Sequence, residues 1–376
     1  MKILIASDKF KGSLASTEVC NAISAGLKEA YQNFQTEILP MSDGGDGLIE
    51  AIIYYTGASK ISASVFDPLF RPINACFLIS ADLKTAIIEM AQASGLNLLR
   101  REEYDCASTS TYGTGQLIKK ALGFGVEKIV LGIGGSATND CGIGMAAALG
   151  YRFFDKMGEE VKPVGGSLAQ IARIDASVDL KLTGVRIEVA CDVTNPLTGP
   201  LGATTVYAPQ KGASPQAVEE LEAGMLNFAQ VVKEDLGKDI LTIKGGGAAG
   251  GTGAGAVAFL NADLRTGTDL IFDYSNFEEK LKGADLIITG EGKIDKQTLQ
   301  GKLIQGITEL CAKHRKPVIA FCGALELTSE EMERLGLRAA FSIMNKPLTL
   351  PQALEQAERL LQEAAFNVGQ LIRLRA

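Results

Sequence analysis

Short apolar runs alternate with helix-period patterns at both ends of this chain. Residues 2–6 read as a buried strand, and Val19, Ile23, Leu27 and Tyr31 then recur along one helical face behind Ser16, a residue suited to cap it. A second short strand over 36–39 ends at Pro40, and a helix follows from Leu48. The rhythm returns near Leu281. Strand 286–288, helix 303–311, strand 318–321, a helix opened by the capping box of Thr328 and Glu331, strand 339–344 and a long amphipathic helix over 353–372 follow in turn. This alternation predicts a parallel sheet with helices on its faces.

The middle of the chain has a different pattern. Ile61, Ala63 and Val65 alternate with polar positions, Asp67-Pro68 and Arg71-Pro72 punctuate, and Ile73, Ala75 and Phe77 alternate again, which predicts an antiparallel hairpin. Helices over 110–122 and 215–236 and a strand over 185–191 complete the region. The expected organisation is α/β in two domains: a discontinuous parallel domain from 1–60 and 283–376, interrupted by a second, mixed domain over 61–282, with 107–150 open to packing with the first.

One stretch in the insertion, EKIVLGIGGSATNDCGIGMAAALG (127–150), joins a strand at 129–131 to a turn at Gly132, Gly134 and Gly135. Ser136 is placed to cap a helix starting near Ala137 and ending at Gly150. A strand, a glycine turn and a helix N-terminus together offer an anion unpaired N–H groups and a favourable dipole, and glycine lets it come close to the backbone. Gly132, Gly134 and Ala137 also fit the dinucleotide spacing G-x-G-x-x-G/A, with Asp155 and Glu159 roughly 20 residues on. A ligand loop, a plain tight turn and a dinucleotide site all remain open, whereas a Walker A loop is excluded for want of its Lys. The second glycine-rich run, GGGAAGGTGAGA (245–256), is too apolar for a linker.

Composition narrows the classes. The chain has 376 residues, 46% hydrophobic and 22% charged, as expected of a soluble two-domain protein. A net charge of −7 without a basic, aromatic-interleaved cluster argues against nucleic acid. No apolar stretch is long enough to span a membrane, and MKILIASDKF reads as a first strand rather than a signal peptide. Seven cysteines without metal-like spacing predict reduced thiols in a cytoplasmic protein. The single histidine, His314, lies in CAKHRKP at a helix end, which leaves no room for a histidine triad or a multi-histidine metal site.

Ligands of parallel sheets bind beyond the carboxyl ends of the strands. Those ends here carry Asp8, Lys9 and Lys11; Asp43 and Asp46 in MSDGGDG; Gly134 to Asp140; Asp192 and Asn195; and Glu291, Lys293 and Asp295. Acids among glycines suit Mg²⁺, and lysines suit phosphate. Taken singly, the two SDGGDG acids could be turn residues, the lysines a solvated edge and Asp192 a helix cap. Taken together they indicate nucleotide-dependent phosphoryl transfer.

The chain resembles the bacterial glycerate kinase family of the DKFKGSL type along nearly its whole length. The resemblance rests on SDKFKGSLAS (7–16), PMSDGGDG (40–47), EMAQASGL (89–96), TSTYGTGQLI (109–118), GIGGSATNDCGIGMAAALG (132–150), ACDVTNPLTGPLGA (190–203), APQKGA (208–213), GGAAGGTGAG (246–255) and TGEGKIDKQTLQGK (289–302). It implies a Rossmann- or flavodoxin-like domain interrupted by a mixed α/β domain, with the active site in the cleft between them. It also implies phosphorylation of D-glycerate by ATP with Mg²⁺, usually to 2-phosphoglycerate. A 3-phosphoglycerate product is the alternative, an NAD-dependent dehydrogenase a more distant one, and a homo-oligomer is left open. On this resemblance Asp43 and Asp46, with Glu291 or Asp295, are assigned to Mg²⁺, and Lys9 and Lys11 to the transferring phosphoryl group or the glycerate carboxylate. Arg71 is a second clamp for the carboxylate. Gly134, Gly135, Ser136 and Lys293 are assigned to phosphate oxygens. Asp192 is the expected general base, with Asp140 as a substrate-side runner-up.

Overall fold

The computed structural model describes residues 1–43, 47–177, 184–296, 298–300 and 303–374. The chain divides into two compact units, Met1–Tyr55 with Thr266–Ala376, and Thr56–Arg265. The divisions fall at 55/56 and 265/266, against 60/61 and 282/283 in the sequence pattern. The helices Gly267–Ser275 and Phe277–Lys282 therefore belong to the first unit. Residues 107–150 lie wholly in the second unit.

The first unit is built on a five-stranded sheet ordered Ala339–Ser342, Val318–Leu325, Leu286–Ile294, Lys2–Ser7, Gln35–Pro40. Every pairing is parallel. Counted along this unit's own chain the order is 2-1-3-4-5, the flavodoxin-like arrangement, whose ligand crevice lies where strands 1 and 3 part company. Those strands are Lys2–Ser7 and Leu286–Ile294, in register at Ile3↔Leu286 and Ile5↔Ile288.

Helix Ser16–Ala30 buries Val19, Ile23 and Leu27 with Ile3 and Ile5 and with Leu360, Leu361 and Val368 of the closing helix Ala357–Arg373. The two helices touch backbone to backbone: a Cβ on Gly26 would stand 2.1 Å from the Gln362 carbonyl oxygen. The cap expected of Ser16 is not formed. Ala15 occupies the N-cap, and Glu18 reaches back to accept from its N–H at 2.8 Å. The Thr328–Glu331 capping box is present as the pattern predicts.

The second unit has a six-stranded mixed sheet ordered Asp263–Arg265, Arg186–Ala190, Lys128–Gly132, Thr85–Glu89, Pro72–Ile79, Ser59–Phe66. The first four strands run parallel and the last two antiparallel. The predicted hairpin pairs Ile61 with Phe77, Ala63 with Ala75 and Val65 with Ile73. Thr85–Glu89 has no counterpart in the sequence reading. None of the seven cysteines forms a disulfide. Among the described residues no helix is long and apolar enough to cross a membrane.

Glu188 is fully buried on the strand next to the Asp263–Arg265 edge of this sheet, and three cations pair with it: Lys128 Nζ at 2.6 Å, Arg186 Nη2 at 2.9 Å and Arg265 Nη1 at 3.1 Å. Its charge thus joins three adjacent strands. Losing one side of a buried ionic cluster costs several kcal/mol, toward the low end where the remaining charges reach solvent, as these cations do. Glu188→Gln is expected to lower unfolding stability by about 3 kcal/mol. Urea titration measures it, and a change within about 0.5 kcal/mol, typical of a surface substitution, would show the cluster to be neutral.

Candidate active site

In the first unit three neighbouring strands end in acids. Asp8 follows Lys2–Ser7, Asp43 follows Gln35–Pro40, and Glu291 sits late in Leu286–Ile294. Gly290 lets the first and third come together, because a Cβ there would meet the Phe321 carbonyl at 2.5 Å and Ser7 Oγ at 3.0 Å. The Gly290 carbonyl accepts from Asp8 N at 3.0 Å and from Ser7 Oγ at 2.9 Å. This is the crevice position of a flavodoxin-like sheet.

Burial pushes the Asp8 carboxyl up to about 7, reinforced by the Asp43 charge, although the Lys9 N–H donates to Asp8 Oδ1 at 2.7 Å and opposes the shift. Burial likewise raises Glu291 to about 7. Asp8, Asp43 and Asp295 add to that rise, while the Thr298 hydroxyl, donating to Glu291 Oε1 at 2.5 Å, opposes it. Asp46 lies outside the described residues. Among the described residues no three acidic side chains form a ready-made cation cage. Mg²⁺ does not require one, since it takes one or two carboxylates and fills its octahedron with water and phosphate oxygens. The hard oxygens and mutual repulsion here fit such an ion.

In the second unit the parallel strands end level. Glu89 pairs with Gly132, and Gly132 with Ala190. Two residues beyond these ends lie Gly134 and Asp192, each following the carboxyl end of its strand. Past Gly132 the chain turns through exposed Gly134 and Gly135, the latter at φ 70°. It is then held against residues 94–96 by Ala137 N to Ser94 O at 2.9 Å and Leu96 N to Gly135 O at 2.9 Å.

The helix does not begin where the pattern places it. It spans Ile143–Ala148, with Gly142 as N-cap, so Ser136 caps nothing. Residues 137–142 stay irregular because Cys141 and Gly142 are both left-handed, at φ 49° and 74°. The helix-dipole account of this turn is therefore incorrect. The dinucleotide fingerprint fails with it, because that motif needs a helix opening directly on the turn. The positive charge comes from Lys211, which the sequence reading did not single out. The residue is 3% exposed, and its Nζ donates to Ser136 Oγ and to the Thr138 carbonyl, both at 2.7 Å.

Other expected site residues are engaged within their own units. Asp140 is fully buried and accepts from Thr111 N and Oγ1 at 2.8 Å and from Gly142 N and Gly144 N at 3.2 Å. Burial raises its carboxyl against those bonds. It fastens the turn to the helix and presents no oxygen to a substrate. The Arg71 guanidinium is held by Asp67 Oδ2 at 2.5 Å and Glu103 Oε1 at 2.7 Å. Lys293 bridges Asp295 at 3.1 Å and Glu326 at 2.9 Å. Lys9 is half-buried, with Nζ 3.5 Å from where a Cβ on Gly47 would stand, whereas Lys11 is exposed. His314 sits just past helix Leu303–Lys313 and meets Glu278 at 2.8 Å.

With folded values raised from about 4 to about 7, Asp8 and Glu291 contribute stability that is complete below pH 4 and lost as pH rises through 7. The ionised pair is then destabilising unless a cation joins it. Mg²⁺ is expected to raise the melting temperature by several degrees at pH 8 and far less at pH 5, and Asp8→Asn to raise the metal-free melting temperature at pH 8. Equal Mg²⁺ effects at both pH values, by differential scanning fluorimetry, would count against this pair as the cation site.

The glycerate kinase family model matches residues 3–373. A protein from Halalkalibacterium halodurans named glycerate kinase is 45% identical over 368 residues, covering 98% of this chain and 97% of its own. A protein from Escherichia coli K12 named glycerate 2-kinase is 42% identical over 370 residues, covering 98% and 97%. A crystal structure from Salmonella typhimurium LT2 superposes with a TM-score of 0.89 at 43% identity, covering 100% of this chain and 98% of its own.

Proposed function

The chain belongs to the glycerate kinase family and is an enzyme, a kinase, and we propose that it transfers the γ-phosphoryl group of ATP to the 2-hydroxyl of D-glycerate with Mg²⁺. The observation that carries the regiochemistry is the 42% identity, over 98% of this chain, to the Escherichia coli protein named glycerate 2-kinase.

The residues divide the work by chemistry. Glu291, Asp43 and Asp8 are the group suited to hold Mg²⁺; when bound, the ion would neutralise charge on the phosphate oxygens. Lys9 and Lys11 add positive charge beside the acids, suited to the moving phosphoryl group or to the glycerate carboxylate. Gly134, Gly135 and Ser136 offer backbone N–H groups to phosphate oxygens. Among the described residues no acceptor takes the N–H of any of the three. Asp192, half-buried beyond its strand end, is suited to accept the proton of the attacking hydroxyl. Arg71 and Asp140 drop out of the substrate set because their charged groups are already engaged. Lys293, bridged to two carboxylates, is suited to orienting Asp295 rather than to carrying a phosphate.

Two measurements test this. Incubation with ATP, Mg²⁺ and D-glycerate should release ADP and give 2-phosphoglycerate, identified by ³¹P–¹H coupling in NMR; a 3-phosphate product refutes the regiochemistry, and no ADP release refutes the activity. Asp192→Asn should lower kcat by roughly a hundredfold or more, as expected when a general base is lost, and a near-normal kcat removes Asp192 from that role.

A further inference from the structure

We propose that Lys211 is a positioning residue for the oxyanion site at Gly134–Ser136, acting through the Ser136 hydroxyl. The inference rests on that turn being an anion site. Lys211 Nζ donates to Ser136 Oγ at 2.7 Å, so the Ser136 oxygen is occupied as an acceptor and its own hydrogen must be given elsewhere. Among the described residues nothing receives that hydrogen, and nothing receives the N–H groups of Gly134, Gly135 and Ser136. Four donors from three consecutive residues, the exposed Gly134 and Gly135 and the buried Ser136, are thus left together at this turn.

The lysine supplies an independent reason. The residue is 3% exposed, and its ammonium has two neutral oxygens as partners, from Ser136 and Thr138. Among the described residues no carboxylate pairs with it and its third N–H finds no acceptor. A buried charge is costly unless paired, and an oxyanion at the adjoining turn completes the pairing. The charged and titratable groups facing it are Cys106 and Asp140. Burial lowers Lys211 to about 8 and pushes Cys106 up to about 11, so between pH 7 and 9.5 the lysine loses its charge while the thiol keeps its proton. Asp140 accepts four hydrogen bonds of its own and is not in contact with Nζ. The ligand chemistry is an oxyanion, either a nucleotide phosphate or the carboxylate of the acceptor acid.

Sulfate, a fixed dianion over this range, is the probe, with binding to the full chain followed by calorimetry at constant ionic strength. Wild-type affinity should fall roughly tenfold or more from pH 7 to 9.5, as for a lost charge-assisted hydrogen bond. Ser136→Ala and Lys211→Met, checked for folding by circular dichroism, should both weaken binding at pH 7 and abolish the pH dependence. If Lys211→Met does not fold, wild type and Ser136→Ala decide between them. A pH-independent wild-type affinity overturns the proposal, and so does a wild-type pH dependence that survives in Ser136→Ala. Steady-state kinetics of Ser136→Ala then name the anion: a raised KM for ATP alone identifies the phosphate, a raised KM for D-glycerate alone the carboxylate, and two unchanged KM values overturn the proposal. The sulfate measurements need no turnover, so a wild type inactive on D-glycerate would defeat the proposed function and leave this test standing.

Discussion

A buried ionisable group without a direct ion pair among the described residues is the constraint on which this molecule is built. In the second unit it is the Lys211 ammonium, set against two neutral oxygens of the segment it holds. In the first unit it is Asp8 and Glu291, two carboxyls pushed up to about 7 by burial and by neighbouring acids, Asp43 beside Asp8 and Asp8, Asp43 and Asp295 beside Glu291. Neither arrangement serves stability alone, since a buried charge is weakly stabilising even when well paired. Under the proposed function both become favourable when a ligand of opposite sign arrives, which is the electrostatic logic of phosphoryl transfer. Glu188 is the contrast: its three cations are already in place, and it behaves as structure.

Much of the fold was legible in the sequence, because period and punctuation are local. The helix Pro215–Leu236 lies between Ser214, whose hydroxyl accepts from Ala217 N, and Gly237 in the left-handed region, and both signals are read without any tertiary information. The hairpin from Ser59 to Ile79 follows from alternation and from prolines at its turn. Thr85–Glu89 escaped because a five-residue strand, buried at three central positions, shows no alternation to distinguish it from the helical residues that follow. The start of the helix at Ile143 was misplaced because Ser136, Thr138, Asn139 and Asp140 are all good caps in composition. Which of them turns the chain depends on the left-handed pair Cys141–Gly142, and that cannot be read from local preference.

The candidate site was legible by position more than by role. Strand ends drew attention to Asp43, Glu291, Asp192 and the glycine turn, because a parallel sheet exposes those positions whatever it binds. The roles are decided by partners far away in the chain. Arg71 looks available until Glu103, 32 residues on, neutralises it, and Asp140 looks available until Thr111, 29 residues back, takes its oxygens. Lys211 is the converse. Its nearest chemistry lies 75 residues earlier, so nothing around it in APQKGA marks it as other than a surface lysine.

The same distance effect gives the second glycine-rich run its meaning. Its left-handed residues Ala249, Gly250 and Gly251 bend the chain within Ala248–Leu260, and its glycines lie against the segment that follows the anion turn. A Cβ on Gly250 would stand 2.1 Å from the Thr138 carbonyl, and one on Gly255 2.1 Å from the Cys141 carbonyl. Cys141 N donates to Gly250 O at 3.0 Å. Residues 138–142 are thus moulded on one side by glycine backbone, tied from within by Asp140 and anchored by Lys211 through the Thr138 carbonyl. The only part left exposed is Gly134–Gly135. Rigid support beneath an exposed, donor-rich turn reduces the ordering cost of binding an anion. The run GGGAAGGTGAGA, too apolar for a linker, is therefore the bed on which the Gly134–Ser136 turn is set.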